Sequence, residues 1–148
     1  MVTLIGMGSG KWEALSAQAQ QAVRSAGLVF GAKRLLAGLP ADCTARQFAL
    51  YQPADILETL AQNSGQDAAV LYSGDTGFYS GASGLLTPLR VLGIPARVYP
   101  GVSSIQLLSA ALGRPWQDWK LVSAHGCACD PVAECMMNRS VFFLTGGT

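Results

Sequence analysis

Short apolar segments alternate with longer helical patterns along this chain, and this alternation constrains its fold more than any other feature. The segment Ala68–Tyr72 is apolar throughout. It lacks the polar alternation of a half-exposed strand, which is typical of a strand buried in a parallel sheet. The repeated order of strand and helix predicts an α/β fold with a largely parallel sheet.

The elements and their grouping follow from the same pattern. Strands are predicted at residues 2–6, 28–30, 48–50, 68–72, 96–99, 120–123 and 141–144. Helices are predicted at residues 13–25, 33–37, 53–62, 82–92, 103–112 and 132–137. The turn at Tyr99-Pro100-Gly101 suggests an N-terminal α/β lobe over residues 1–99 and the start of a C-terminal α/β lobe over residues 100–148. Residues 145–148 follow a strand, where a further helix normally comes next, so we expect the second lobe to be truncated.

Composition narrows the class of protein. Half of the 148 residues are hydrophobic and 13% are charged, which suits one ordinary domain or a small pair with a buried core. Ten basic and nine acidic residues leave a net charge of +1, without the basic stripe expected of a nucleic-acid partner. No apolar run approaches the roughly 20 residues that span a bilayer, and no signal peptide precedes the first strand. We therefore expect a cytoplasmic protein without a nucleic-acid or membrane partner.

A glycine-rich loop, Gly6-Met7-Gly8-Ser9-Gly10, follows the first predicted strand. Glycines let a backbone approach a ligand closely, and a helix that follows favours anions. A Walker loop is excluded because Ile5 stands at its first glycine position and Trp12 follows Lys11. A Rossmann fingerprint is also excluded, because it requires the spacing G-x-G-x-x-G, whereas this loop has G-x-G-x-G. The loop alone fits either a tight turn or a ligand-binding turn.

Two further loops follow later strands. Ser73-Gly74-Asp75-Thr76-Gly77-Phe78-Tyr79 comes after the buried strand, where ligands of open α/β sheets bind. Asp75 could accept hydrogen bonds from ribose hydroxyls or fix the loop, with Phe78 and Tyr79 as aromatic walls. Alternatively, Asp75 caps a helix and the aromatic side chains belong to the core. In Pro100-Gly101-Val102-Ser103-Ser104, a serine either caps the next helix or contributes to a cofactor site.

Taken in order, the three loops resemble the tetrapyrrole methylase family, the class III S-adenosylmethionine-dependent methyltransferases. The family pattern has a G-x-G-x-G loop, a central G-D-P-type loop and a P-G-[IV]-[ST]-[SA] turn. Residues 30–35, 112–118 and 123–126 resemble the branch that methylates carbon 5 of precorrin-6Y or cobalt-precorrin-7 in cobalamin synthesis. Ser9 and Thr76 stand where the family usually has proline, and Cys127 replaces an arginine of this branch.

The resemblance implies an S-adenosyl-L-methionine-dependent C-methyltransferase that acts on a precorrin. Alternatives are a relative that methylates another tetrapyrrole or ribosomal RNA, and a truncated, non-catalytic dimerising lobe. The resemblance also implies a homodimer and a carbon-15 methylating and decarboxylating partner or fused domain. The cofactor-binding residues that it implies are Ser9, Ser73, Gly74, Asp75, Phe78, Ser103, Ser104 and Leu144.

The substrate of this branch is a macrocycle with several carboxylates, which cationic side chains can pair with. Its predicted contacts are Gly8, Lys11, Lys33, Arg34 and His125, although the cations could equally be ordinary solvated surface charges. Methyl transfer from a sulfonium to carbon mainly requires positioning and desolvation of the reactants. No residue is identified as the catalytic base.

The late residues His125, Cys127, Cys129 and Cys135 form an H-x-C-x-C-x5-C pattern. Nitrogen and sulfur ligands suit zinc, but C-x-C is tighter than the usual C-x2-4-C spacing. We therefore expect reduced thiols and no metal site.

Overall fold

The computed structural model of the chain describes residues 1–125 and 128–146. It divides into two compact units, Met1–Ser103 and Ser104–Thr148. Both units contain a parallel sheet with helices between its strands, which confirms the predicted α/β class. The predicted lobes, residues 1–99 and 100–148, stay a prediction about domain organisation.

The first unit contains five strands and four α-helices. In chain order they are β1 Val2–Gly6, α1 Ala17–Ser25, β2 Leu28–Phe30, α2 Lys33–Leu36, β3 Arg46–Phe48, α3 Pro53–Gln62, β4 Ala68–Tyr72, α4 Ala82–Val91 and β5 Ala96–Tyr99. A short 3-10 helix, Trp12–Ala14, precedes α1. The second unit contains α5 Ser104–Leu112, β6 Lys120–Ala124, α6 Pro131–Met137 and β7 Val141–Thr145.

The five strands of the first unit form one sheet in the order β3-β2-β4-β1-β5, and every pair in it is parallel. β1 therefore lies between β4 and β5, with Gly6 opposite Tyr72 and Ile5 opposite Tyr99. Since parallel strands end at the same edge of a sheet, the loops that follow β1, β4 and β5 emerge side by side.

Alternate residues of the central strands supply two hydrophobic clusters, one on each face of the sheet. Ile5 and Val29 pack with Val23 of α1 on one face. On the opposite face, Leu4 packs in a cluster that includes Ile56 of α3. Burial on both faces explains why β1 and β4 are apolar without alternation.

The predicted helix over residues 13–25 was too long at its start. Ser16 has an extended backbone, with φ −60° and ψ 151°, and its hydroxyl accepts a hydrogen bond from the Ala19 amide at 3.2 Å. Ser16 is therefore the N-cap of α1. The helix begins at Ala17, and residues 12–14 form a separate turn.

The third strand was also misplaced by the sequence pattern. It was predicted at residues 48–50, whereas β3 is Arg46–Phe48 and pairs, among the described residues, with β2 alone. Arg46 and Gln47 are exposed, because an edge strand has a neighbour on one side only. Its short, largely polar sequence therefore gave no clear apolar signal.

The second unit pairs β6 with β7 in parallel, from Lys120 opposite Val141 to Ala124 opposite Thr145. Asp130 caps α6 between these strands, since its Oδ1 accepts from the amides of Val132 and Ala133 at 3.1 Å each. None of the helices in residues 1–125 and 128–146 is long and apolar enough to cross a membrane.

Tyr72, the last residue of β4, carries a buried hydroxyl that has no hydrogen-bond partner in the described part of the chain. Burial raises the pKa of this phenol from 10.0 to about 12. The folded chain therefore holds the proton more tightly than the unfolded chain. The stability that depends on neutral Tyr72 is present below pH 10 and is lost as the pH rises towards about 12.

We predict that Tyr72→Phe raises the free energy of unfolding at neutral pH by about 1 kcal/mol, because it removes an unpaired buried hydroxyl. Between pH 9 and about pH 11, its stability should also fall less than that of the wild type. Urea denaturation at both pH values measures this difference. Tyr51→Phe is the control because Tyr51 is 66% exposed. Equal pH dependence of Tyr72→Phe and wild type would contradict the prediction.

Candidate functional site

Backbone hydrogen bonds join the glycine loop after β1 to the loop after β4. The Gly8 amide donates to the Gly74 carbonyl at 3.0 Å, and the Gly74 amide donates to the Gly8 carbonyl at 2.9 Å. The two glycines thus form an isolated antiparallel bridge beyond the ends of two parallel strands. Their φ angles are +57° and +64°, in the left-handed region that favours glycine.

The turn after β5 crosses the other two loops at very short range. A Cβ placed on Gly101 would lie 2.2 Å from the Gly74 carbonyl oxygen and 2.6 Å from the Gly6 carbonyl carbon. A Cβ on Gly6 would lie 2.5 Å from the Gly101 nitrogen. Real side chains do not approach backbone this closely, so Gly6, Gly74 and Gly101 form a crossing of three backbones. We call it the glycine crossing.

Asp75 connects the central loop to the turn after β5. Its Oδ1 accepts from the Gly101 amide and its Oδ2 accepts from the Gly77 amide, each at 3.1 Å. The structure therefore supports the interpretation that Asp75 fixes the loop. The helix-cap alternative is wrong for the next helix, because the N-cap of α4 is Gly81, which has no side-chain cap. A direct contact of Asp75 with a cofactor stays a prediction.

Thr76 adds a weaker link between the same two segments. Its hydroxyl donates to the Tyr99 carbonyl at 3.4 Å. Thr76 occupies the position at which the family pattern has proline. Proline would restrict the backbone there, whereas Thr76 instead makes a side-chain hydrogen bond to β5. Sequence reasoning noted the departure but gave Thr76 no role.

The aromatic pair beyond these links lies partly in solvent. The rings of Phe78 and Tyr79 are 4.9 Å apart, edge to face. Tyr79 is 53% exposed and has a φ angle of +46°. The alternative that both aromatic side chains are core residues is therefore wrong for Tyr79. Phe78 is half-buried, and its contact with a cofactor stays a prediction.

One predicted substrate residue reaches a predicted cofactor residue. The Nη2 of Arg34, at the start of α2, donates a hydrogen bond to the Ser73 hydroxyl. Arg34 is thus positioned beside the central loop. Lys11, Lys33 and Ser9 are exposed, and their predicted roles stay untested.

The remaining predicted residues are Ser103, which immediately precedes α5, and three residues of the second unit. Ser103 is buried, with 4% of its surface exposed, and Ser104 is the first residue of α5. Leu144 lies in β7. His125 follows β6, and a Cβ on Gly146 would lie 2.9 Å from its Nδ1. The roles predicted for these residues remain predictions.

The predicted absence of a metal site concerns residues only partly described. Cys43, Cys129 and Cys135 are free thiols. Within residues 1–125 and 128–146, no three His, Cys, Asp or Glu side chains are grouped to hold a metal ion. Cys127 and Gly126 lie outside the described residues.

Residues 1–146 match the family model of the Tetrapyrrole (Corrin/Porphyrin) Methylases. The chain therefore belongs to the tetrapyrrole methylase family, as its three loops predict. It is a methyltransferase, in agreement with the names of its relatives.

The relatives include enzymes of the corrin branch. The chain is 30% identical over 145 residues to the cobalt-precorrin-7 C(5)-methyltransferase of Salmonella typhimurium, covering 98% of this chain and 71% of that protein. It is 31% identical over 133 residues to the decarboxylating precorrin-6Y C(5,15)-methyltransferase of a Sinorhizobium species, covering 88% of this chain and 32% of that protein. The resemblance to this branch is thereby confirmed.

Two solved structures share the fold. A precorrin-6Y methylase of cobalamin biosynthesis from Archaeoglobus fulgidus superimposes with a TM-score of 0.70 at 19% identity, covering 97% of this chain and 72% of that chain. A uroporphyrin-III C-methyltransferase from Thermus thermophilus gives a TM-score of 0.68 at 26% identity, with coverages of 86% and 62%.

We predict that Gly101→Ala lowers the thermal unfolding midpoint markedly, because the new methyl group would overlap backbone atoms that cannot move aside independently. Overpacking of this kind costs about 1–3 kcal/mol or more. Gly84→Ala is the matched control, since its Cβ would meet only the Pro53 side chain, at 3.5 Å, inside helix α4. That change should be neutral or stabilising by about 0.5–1 kcal/mol. Differential scanning calorimetry compares them, and equal midpoints would contradict the glycine crossing.

Proposed function

We propose that the chain binds S-adenosyl-L-methionine at the loops of the glycine crossing and methylates carbon 5 of a precorrin in cytoplasmic cobalamin biosynthesis. The substrate would be of the precorrin-6Y or cobalt-precorrin-7 type. Family membership and the relatives support a methyltransferase of cobalamin biosynthesis. The observation that carries the proposal is the convergence of three loops at the carboxyl ends of β1, β4 and β5, where open α/β sheets bind ligands.

The loops have a shape that suits the cofactor. A Cβ on Gly74 would meet nothing within 4 Å, so the backbone of the central loop faces open space on that side. A ligand can therefore approach peptide groups that a side chain would otherwise cover. When bound, S-adenosyl-L-methionine supplies a methyl group already activated on a sulfonium.

Four of the proposed cofactor residues belong to the central loop, whose backbone is open on one side. Ser73, Gly74, Asp75 and Phe78 belong to the central loop, and Gly101 fixes Asp75 from the neighbouring turn. Backbone groups held in this way need no rearrangement when a ligand arrives, which reduces the entropic cost of binding. Ser9, Ser103, Ser104 and Leu144 complete the proposed set.

The proposed substrate contacts depend on charge. A precorrin carries several carboxylates, and a guanidinium can hold a carboxylate through two parallel hydrogen bonds. Arg34 is already oriented by Ser73, so it would meet a carboxylate without first losing all its side-chain freedom. We assign Lys11, Lys33, Gly8 and His125 as further substrate contacts. Together with Arg34, these residues would hold the reacting carbon in position and exclude water from it.

We also propose a homodimer and a partner, or fused domain, that methylates carbon 15 and decarboxylates. The name of the Sinorhizobium relative includes both carbon positions and the decarboxylation, and this chain covers 32% of that protein. The remainder of the relative is long enough to supply a second activity.

We predict that the chain binds S-adenosylhomocysteine and that Asp75→Ala weakens this binding by about 100-fold. The change removes two charge-assisted hydrogen bonds that hold two loops together, worth about 1.5–3 kcal/mol each. Isothermal titration calorimetry measures the affinity. Asp55→Ala is the control because Asp55 is exposed in the first turn of α3.

Retained affinity in Asp75→Ala would show that the central loop has been assigned the wrong role. Absence of binding by the wild type at millimolar concentration would contradict the proposed cofactor. Transfer of a labelled methyl group to a precorrin then tests the substrate, and mass spectrometry with NMR identifies the carbon. Cofactor binding without transfer to carbon 5 would contradict the proposed reaction while leaving the cofactor in place.

A further inference from the structure

A cavity of about 420 Å³ lies between α1 and the part of the sheet formed by β1 and β5. Its lining includes Met1 and Asp67, which precede β1 and β4. The cavity therefore extends towards the amino ends of these strands, whereas the glycine crossing lies beyond their carboxyl ends. No residue of the proposed cofactor or substrate set lines it.

One wall of the cavity is formed by α1, in part by a polar stripe of this helix. Its apolar side chains, such as Val23, pack over β1 and β2. Gln18, Gln21 and Ser25, spaced three and four residues apart, line the cavity instead. Residues at these spacings share one helix face. The stripe thus adds polar groups to a cavity whose lining also includes Ala17, Ala22 and Ala68.

The charges that line the cavity do not cancel. The Met1 ammonium and Asp67 form an ion pair at 2.7 Å. Arg97, on β5, is the other charged lining residue. The guanidinium of Arg97 has one hydrogen bond, a long one of 3.5 Å to the Tyr99 hydroxyl, and no carboxylate partner in the described part of the chain. One positive charge is thus left unpaired.

Thr3 contributes a hydroxyl group to the cavity wall. Thr3 of β1 is 4% exposed and lines the cavity. Unlike the Tyr72 hydroxyl, the Thr3 hydroxyl is not enclosed without a partner, and it therefore serves here only as a neutral polar group on the cavity wall. Thr3 is opposite Arg97 in the sheet register, so the hydroxyl and the guanidinium belong to neighbouring strands on the same face.

We propose that this cavity binds a small organic anion, whose carboxylate or phosphate pairs with Arg97 and whose body lies beside Tyr99. The volume falls within the range of about 300–1,000 Å³ that small-molecule sites occupy. Thr3, Gln18 and Gln21 would supply the neutral hydrogen bonds that orient the ligand. The site is additional to the proposed methyl-transfer site and does not depend on it.

Titration of the ¹⁵N-labelled chain by NMR tests the proposal. The probes are benzoate, phenyl phosphate and the neutral control benzamide. We expect either anion to shift the amides of α1, β1 and β5 saturably, and benzamide to leave them unchanged. Comparison of the two anions tells a carboxylate site from a phosphate site.

Variants test which groups bind. Arg97→Gln should weaken binding of the anion about tenfold or more, since it replaces a charge-assisted pair. Arg90→Gln is the matched control, because Arg90 is exposed on α4 and does not line the cavity. Thr3→Val, which removes the hydroxyl but keeps a β-branched side chain in a strand, should weaken binding by a smaller factor. Unchanged amide spectra away from the cavity confirm that each variant is folded.

Three outcomes would overturn the proposal. The first is no saturable shift with either anion, and the second is equal affinity in Arg97→Gln and wild type. The third is concentration-dependent self-association of the wild type that Arg97→Gln abolishes without any anion binding. That result would assign the surface to contact between copies of the chain.

Discussion

The close approach of three backbones at Gly6, Gly74 and Gly101 is the constraint on which the candidate site depends. It follows from the strand order, because β1 lies between β4 and β5 and all three strands end at the same edge. The loops of β4 and β5 therefore each start about 4.8 Å from the loop of β1, one on either side, before they converge on it. A side chain at Gly6 or Gly101 would push the loops apart, whereas Gly74 is required for its left-handed backbone, with a φ of +64°.

This crossing fixes loops that would otherwise be independent of one another. Gly8 and Gly74 exchange hydrogen bonds, while Asp75 and Thr76 bind the segment at Tyr99 and Gly101. Peptide groups left on the open side of the central loop are therefore held in place by interactions on its other side. The site is therefore built from backbone groups that the loops hold in fixed positions, rather than from independent side chains. Such an arrangement suits a reaction that mainly requires orientation of the reactants.

The sequence predicts those parts of the molecule that local pattern determines. Apolar runs located the buried strands β1, β2 and β4, and the order of three loops identified the family. The start of α1 was harder to foresee, because the helical pattern runs continuously through Ser16. The side chain of Ser16 caps α1 there and so separates the helix from the short turn before it. Contacts between distant residues could not be derived at all: Asp75 and Gly101 are 26 residues apart, and Arg34 and Ser73 are 39 apart. The cavity beside α1 was missed because Thr3, Gln18 and Arg97 are individually ordinary residues that only the fold brings together.

The turn that completes the glycine crossing also has a mechanical consequence. Residues 100–103 are the covalent link through which the chain leaves the first unit. Within and just before this segment, the Gly101 amide donates to Asp75 and the Tyr99 carbonyl accepts from Thr76. The link is therefore anchored to the central loop, so a force applied along the chain from residue 104 acts on the candidate cofactor site as well as on β5.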